Sequence, residues 1–134
     1  MKLHHVGIVV QSIERGAELY QQYFGFRPIS AVVRDDIQKV NVQFLDSGAS
    51  ETTLELIEPL PGDSPARRAM EAGGGLNHLC FEVPDLSEII AQAKTYGVVC
   101  VKPPTPATAF GGRRIAFFLY RGVGLVEFVE SEKS

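Results

Sequence analysis

The strongest constraint on the fold is an internal repeat. Residues 3–10 (LHHVGIVV) return 73 positions later as residues 76–83 (LNHLCFEV), and residues 53–58 (TLELIE) are matched by residues 125–130 (LVEFVE). Each copy has a histidine near its start and a glutamate near its end. The spacing is nearly the same in both, since His5 precedes Glu55 by 50 positions and His78 precedes Glu127 by 49. This period is longer than that of solenoid repeats, so it predicts one module duplicated within a single domain.

Two further segments between these ends also repeat. Residues 17–25 have a helical pattern that matches residues 89–97, and each ends in a glycine, where a left-handed helix C-cap favours one. Residues 39–45 align with residues 113–119. The four matches have offsets of 72 to 74 positions, and chance does not readily produce such agreement.

Each half is predicted to run strand, helix and then three strands, a βαβββ module. In the first half, alternation over residues 4–10 predicts the opening strand, and Ser12 is expected to cap a helix over residues 13–24. The later strands are predicted over residues 32–33, 40–45 and 53–58, with turns at 34–36 and 46–49.

The second half follows a linker with its own short helix. Ser64 and Pro65 predict the start of a helix over residues 65–72, because serine caps a helix well and proline suits its first position. A helix beginning at residues 85–87 and ending at 96 is predicted next, with strands over 100–102, 114–120 and 125–129. Residues 103–112 are rich in proline and glycine and are predicted to form an irregular loop over a site.

These elements predict an α+β fold in one domain, residues 1–134. It consists of a first βαβββ module (1–60), a linker with a short helix (61–75) and a second βαβββ module (76–134). The family resemblance given below implies that the two modules form a curved mixed sheet. The length of 134 residues, with 45% hydrophobic and 22% charged residues, is ordinary for one globular domain.

Charge and hydropathy exclude several classes of function. A net charge of −3 and the lack of a basic stripe argue against nucleic-acid binding. The sequence has no charged-then-apolar leader and no apolar run of about 18 residues, so we expect a cytoplasmic protein without a membrane segment. Cys80 and Cys100 lack metal-site spacing and are expected to be buried, reduced thiols.

The repeated histidines and glutamates are candidate metal ligands. Imidazole nitrogen and carboxylate oxygen suit first-row divalent cations, and cobalt, nickel, zinc and manganese all remain possible. Alternate residues of a strand pair curled into a half-barrel, as the resemblance given below implies, point into its concavity, so His5 can converge with Glu55 in one half and His78 with Glu127 in the other. Four protein ligands leave one or two coordination positions open, and an open position distinguishes a catalytic metal from a structural one.

Other polar and aromatic residues have plainer interpretations. Exposed strand or strand-end positions are predicted for Glu58, Glu82 and Glu130, and a structural position on the opposite face of its strand for His4. A core position is predicted for Tyr20, Tyr23 and Phe24, which recur at helical spacing. Solvated charge, or alternatively an anion handle, is predicted for Arg67, Arg68, Arg113 and Arg114. Phe110 beside two glycines is a candidate lid residue.

The placement of a histidine on the first strand and a glutamate on the last strand of each module resembles the vicinal oxygen chelate superfamily. This superfamily includes glyoxalase I, methylmalonyl-CoA epimerase, extradiol dioxygenases and bleomycin-resistance proteins. Residues 54–60, 63–65, 74–78 and 81–85 look most like methylmalonyl-CoA epimerase, and residues 33–44 are also similar to small bacterial glyoxalase I. The resemblance implies the fold of this superfamily, with one divalent metal in its cleft.

The resemblance also implies an activity. We expect a metal-dependent isomerase that transfers a proton next to a metal-polarised carbonyl, either as an acyl-CoA epimerase or as a glyoxalase I type lyase acting on a glutathione hemithioacetal. Glu127 is the expected general base and Glu55 the second catalytic carboxylate, whereas Asn41 and Gln43 supply no further acid–base group. A metal-free, ligand-sequestering protein of the bleomycin-resistance type is the remaining alternative. Family members commonly dimerise, so a homodimer with each site inside one chain is expected.

Overall fold

The computed structural model describes residues 1–49 and 51–132. Residue 50 of the predicted first module and residues 133 and 134 of the predicted second module lie outside the described residues. The described residues divide into two compact units. The first unit is His5–Asn77, and the second unit comprises Met1–His4 and the chain from His78 onward.

The order of elements along the chain is βαββββ in the first module, with the short, unpredicted strand β2 added, then a short helix, then βαβββ in the second module. The described elements are β1 (Lys2–Val9), α1 (Ile13–Phe24), β2 (Arg27–Pro28), β3 (Val33–Asp35), β4 (Val40–Asp46), β5 (Leu54–Pro59), α2 (Pro65–Glu71), β6 (Gly75–Val83), α3 (Leu86–Tyr96), β7 (Val99–Pro106), a 3₁₀ helix (Thr108–Phe110), β8 (Arg114–Tyr120) and β9 (Gly124–Glu130). None of the described helices is long and apolar enough to cross a membrane.

In the first unit, α1 packs on one face of a mixed sheet. Strand β1 is parallel to β5, β5 is antiparallel to β4, and both β2 and β3 pair antiparallel with β4. The core between helix and sheet consists of Ile8, Ile13, Leu45, Leu54 and Leu56. Because side chains alternate along a strand, the other face of β1 and β5 presents a different set, which includes His5 and Glu55.

The second unit repeats this arrangement with α3. Strand β6 is parallel to β9, β9 is antiparallel to β8, and β8 is antiparallel to β7. The buried core includes Leu86 and Ile89 of the helix and Ala116, Phe118 and Phe128 of the sheet. Each unit therefore has its own core between one helix and one sheet.

The helix ends follow the sequence prediction closely. Ser12 accepts a hydrogen bond from the Arg15 amide at 3.2 Å, and Gly25 ends α1 in the left-handed region at φ 73°. In the second unit, Asp85 caps α3 through the Ser87 amide at 2.8 Å and Gly97 ends it at φ 67°. The caps were predictable because they depend on local backbone geometry rather than on tertiary contacts.

Three strand predictions were wrong. Residues 34 and 35 were predicted in a turn but belong to β3. The short strand β2 was not predicted, since Pro28 follows the helix end and reads as a turn. Residues 103–106 were predicted as loop but continue β7, with register shifts between Cys100 and Lys102 and between Lys102 and Thr105. Prolines are tolerated there because β7 bonds to β8 on one side and lies at the edge of its sheet, where one row of amide groups needs no partner.

The strand register also corrects the repeat alignment. Phe44 pairs with Glu55, and Phe117 pairs with Glu127. Phe44 is therefore equivalent to Phe117, at an offset of 73. The sequence alignment of residues 39–45 with residues 113–119 had instead matched Phe44 with Phe118. A shift of one residue moves side chains to the opposite face of a strand, so this correction changes which residues face the glutamates.

Candidate functional site

The first unit buries a histidine–glutamate pair on the sheet face away from α1. Gly7 of β1 is in register with Glu55 of β5, and His5 lies two residues before Gly7, so its side chain is on the same face. The His5 Nε2 and Glu55 Oε1 atoms are 3.4 Å apart. His5 is fully buried and Glu55 is 5% exposed.

The second unit builds the same pair in the same way. Cys80 of β6 is in register with Glu127 of β9, and His78 again lies two residues before the registered residue. The His78 Nε2 and Glu127 Oε1 atoms are 3.1 Å apart, with the residues 6% and 2% exposed. The sequence repeat therefore corresponds to a repeated geometry of parallel first and last strands.

The chemistry of each pair suits a metal. Burial of an ionisable group is costly unless it is paired or coordinates a metal, and each pair presents one imidazole nitrogen and one carboxylate oxygen. Histidine and glutamate are ordinary ligands of first-row divalent cations. In each unit both predicted ligand residues are buried, His5 and Glu55 in the first and His78 and Glu127 in the second.

An aromatic ring lies beside each histidine. The rings of His5 and Phe44 meet edge to face with centroids 5.6 Å apart, and those of His78 and Phe117 do so at 5.2 Å. Sequence reasoning missed both phenylalanines. The signal was present in the repeat, but the alignment error of one residue hid it.

A second pair of glutamates, Glu58 and Glu130, anchors the helices. The Ile13 amide donates to Glu58 at 3.0 Å, and the Leu86 amide donates to Glu130 at 3.1 Å. Both amides belong to the first residue of a helix, where backbone donors lack intrahelical partners. The expectation that these carboxylates are exposed is wrong for Glu130, which is 7% exposed.

The anchor in the second unit is reinforced by charge. Arg114 donates from Nε and Nη2 to the two carboxylate oxygens of Glu130, both at 2.8 Å. This hydrogen bonding by Arg114 lowers the pKa of Glu130 below its ordinary value, although burial opposes the shift. In the first unit, the equivalent partner of Glu58 is the neutral amide of Asn41, at 3.3 Å.

The four candidate anion-handle arginines all make internal bonds. Arg67 donates to the carbonyl groups of Pro59 and Leu60, and Arg68 pairs with Asp63 at 2.8 Å. Arg113 contacts Glu82 at 3.3 Å and the Glu130 carbonyl at 3.1 Å, and Arg114 pairs with Glu130. None of these side chains is therefore assigned as a handle for a substrate.

Several aromatic and cysteine predictions need correction. Tyr20 packs on the core, but Tyr23 and Phe24 are 66% and 64% exposed, because the last turn of α1 is exposed throughout. Phe110, the candidate lid residue, is buried, with the His4 ring 5.2 Å away. Cys80 and Cys100 are free of disulfides as expected, but only Cys80 is buried.

Comparison with known proteins identifies a family model. Residues 4–117 match the model described as the Glyoxalase/Bleomycin resistance protein/Dioxygenase superfamily. The match includes His5, Glu55 and His78 on strands β1, β5 and β6. It ends before β9, the strand that carries Glu127.

Sequence relatives include enzymes of known name. An uncharacterised protein of Bacillus subtilis is 36% identical over 132 residues, which cover 96% of this chain and 91% of that protein. The mitochondrial methylmalonyl-CoA epimerase of Mus musculus is 32% identical over 95 residues, which cover 69% of this chain and 52% of the mouse protein. The chain thus spans about half the length of this relative.

Solved structures of epimerases share the fold. Methylmalonyl-CoA epimerase of Mycobacterium tuberculosis is 27% identical with a TM-score of 0.77, covering 98% of this chain and 89% of that chain. An E43Q variant of the Streptomyces coelicolor enzyme, in complex with 2-nitronate-propionyl-CoA, is 25% identical with a TM-score of 0.80 and 99% coverage of both chains. The predicted α+β class and the vicinal oxygen chelate fold are therefore confirmed.

Proposed function

Because the chain belongs to the Glyoxalase/Bleomycin resistance protein/Dioxygenase superfamily, we propose that it is a metal-dependent epimerase acting on an acyl-CoA thioester. The observation that carries this proposal is the duplicated, buried histidine–glutamate pair with the same strand register in both units. The acyl-CoA substrate class is supported by relatives and structural neighbours that are methylmalonyl-CoA epimerases.

The donor set fits one divalent cation. We propose that His5 and Glu55 provide one half of its ligands and His78 and Glu127 the other half, giving two nitrogen and two oxygen donors. When bound, such a cation polarises the substrate carbonyl and makes the adjacent C–H more acidic. Cobalt, nickel, zinc and manganese all suit this donor set.

The proton transfer is assigned to the glutamates. Glu127 accepts the α-proton of the thioester as general base, and Glu55 is the second carboxylate, which returns a proton. Epimerisation requires removal on one face of the carbon and return on the other, so two carboxylates from different modules divide the work. Both are buried, which limits contact of the carboxylates with bulk water during the transfer.

The proposal is tested by hydrogen exchange. Proton NMR in D2O would follow methylmalonyl-CoA with protein reconstituted separately with Co²⁺, Ni²⁺ and Zn²⁺, and metal-free protein as control. Deuterium wash-in at C2 above the spontaneous rate is the expected result. A second set of samples contains methylglyoxal and glutathione, where formation of lactoylglutathione instead would indicate glyoxalase I chemistry.

Inactivity on both substrates has two meanings that metal analysis separates. Tight metal binding without turnover would overturn the acyl-CoA assignment. It would leave the proposal of a metal-dependent enzyme, acting on another carbonyl substrate. No metal uptake would overturn the enzyme proposal and favour a ligand-sequestering protein. We also propose that each chain is one domain and that two chains form a homodimer. Sedimentation equilibrium tests the homodimer, for which the expected mass is twice the 14.7 kDa of one chain.

A further inference from the structure

One side of each histidine–glutamate pair is formed by a phenylalanine. Phe44 lies opposite Glu55 in the antiparallel register of β4 and β5, and its ring meets His5 with the planes at 69°. Phe117 lies opposite Glu127 in β8 and β9, and its ring meets His78 at 83°. In both units, then, one ring is in register with the glutamate and in edge contact with the histidine.

This contact constrains the imidazole. Aromatic rings with centroids 4.5–7 Å apart prefer the edge-to-face arrangement, because the positive edge of one ring meets the negative face of the other. A ligating histidine binds well only when its ring plane is fixed, usually by hydrogen bonds from residues around the metal site. A phenylalanine beside the ring restricts rotation about the last side-chain bond and keeps water from that side.

The repeat supports a role for the ring itself. The neighbours of Phe44 on β4 are Gln43 and Leu45, whereas those of Phe117 on β8 are Ala116 and Phe118. The flanking residues differ in size and polarity between the two copies. The phenylalanine, its register with the glutamate and its angle to the histidine are retained.

We propose that Phe44 and Phe117 are positioning residues that hold His5 and His78 with Nε2 directed at the neighbouring carboxylate. The consequence for metal affinity rests on the proposed function. The orientation of each imidazole does not rest on the proposed function, because the contact between the histidine and phenylalanine rings lies within one unit.

The test compares two adjacent leucine substitutions on β8. Phe117→Leu removes the partly buried ring beside His78. Phe118→Leu is the control, because Phe118 is the next residue of the same strand but is fully buried and faces the core, where it contacts Phe128. Both variants should lower the melting temperature. Calorimetric titration of the metal-free proteins with Co²⁺ should show about 2- to 10-fold weaker binding for Phe117→Leu and an unchanged affinity for Phe118→Leu.

A second measurement reads the orientation without metal. In nitrogen-edited NMR spectra of the metal-free protein, Phe117→Leu should shift and broaden the His78 ring resonances, and Phe118→Leu should leave them in place. Equal losses of Co²⁺ affinity in the two variants, or unchanged His78 resonances in Phe117→Leu, would overturn the positioning role. If the wild-type protein bound no Co²⁺, the metal proposal would fail, and the NMR comparison alone would decide the orientation.

Discussion

Removal of the Glu130 carboxylate should destabilise the second unit by an amount that depends on pH. Glu130 is 7% exposed and accepts the amide of the first residue of α3, at 3.1 Å. Loss of a buried charged acceptor for that amide costs about 2 kcal/mol, from the usual range for caps and for hydrogen bonds to charged groups. The Arg114 side chain is half exposed, so we add nothing for its ion pair.

The first unit offers a matched comparison. Glu58 accepts the equivalent amide of α1 at 3.0 Å, but it is only partly buried and its second partner is a neutral amide. Glu58→Ala should therefore cost about 1 kcal/mol, since water replaces part of the lost bond. For a chain of this length, Glu130→Ala should lower the melting temperature by about 6–10 °C and Glu58→Ala by about half as much.

The sign of the pH dependence follows from the lowered pKa of Glu130. A carboxyl whose pKa is lower in the folded than in the unfolded state stabilises the protein fully at a pH above its unfolded-state pKa of about 4.3. This stabilisation is lost as the pH falls through the folded-state pKa. Urea unfolding of metal-free protein from pH 7 to pH 3 should show Glu130→Ala and wild type converging at low pH. A difference that stayed constant to pH 3, or equal costs for Glu130→Ala and Glu58→Ala at pH 7, would refute the reasoning.

Three further substitutions test the site and the fold. Glu127→Gln should keep the fold and much of the metal but lose most α-proton exchange in the D2O assay. Glu88→Gln, at an exposed position, is the control and should remain active. Full turnover by metal-loaded Glu127→Gln would contradict the assignment of Glu127 as general base. His78→Ala should lose the metal on dialysis, as measured by elemental analysis, whereas His4→Ala should retain it; retention by both would exclude His78 as a ligand. Gly74→Ala should destabilise more than Gly111→Ala in urea unfolding. The two glycines have nearly the same positive φ, 66° and 64°, but a Cβ at Gly74 would lie 3.0 Å from the Val9 carbonyl oxygen, whereas one at Gly111 would have no atom within 4 Å. Equal costs would show that the contact with Val9 relaxes freely.

The repeat made much of the fold predictable. Ser12, Ser64 and Asp85 marked helix starts through their own side chains, and Gly25 and Gly97 marked helix ends. Equivalent residues of a duplicated module occupy equivalent places, so the spacing indicated that His5 matches His78 and that Glu55 matches Glu127. The pairing of each histidine with its glutamate was expected from the curled sheet that the family resemblance implies. These features depend on local geometry or on the internal symmetry of the sequence.

The features that were missed depend on tertiary contacts. Glu130 looks exposed at the end of a strand, and only the folded chain shows that the first turn of α3 and Arg114 surround it. Tyr23 has the spacing of a core residue, but the helix extends one turn past the buried stripe. The prolines of β7 argue against a strand unless its position at a sheet edge is known.

The same prolines determine where β7 can accept another strand. Strand addition needs a row of free amide donors, and Pro103, Pro104 and Pro106 have none. The far end of β7 is therefore closed to templated aggregation. The four residues before Pro103 keep their amides, and Val99 and Val101 among them are 59% and 49% exposed. Edge-to-edge association through β7 is therefore favoured only at its first four residues.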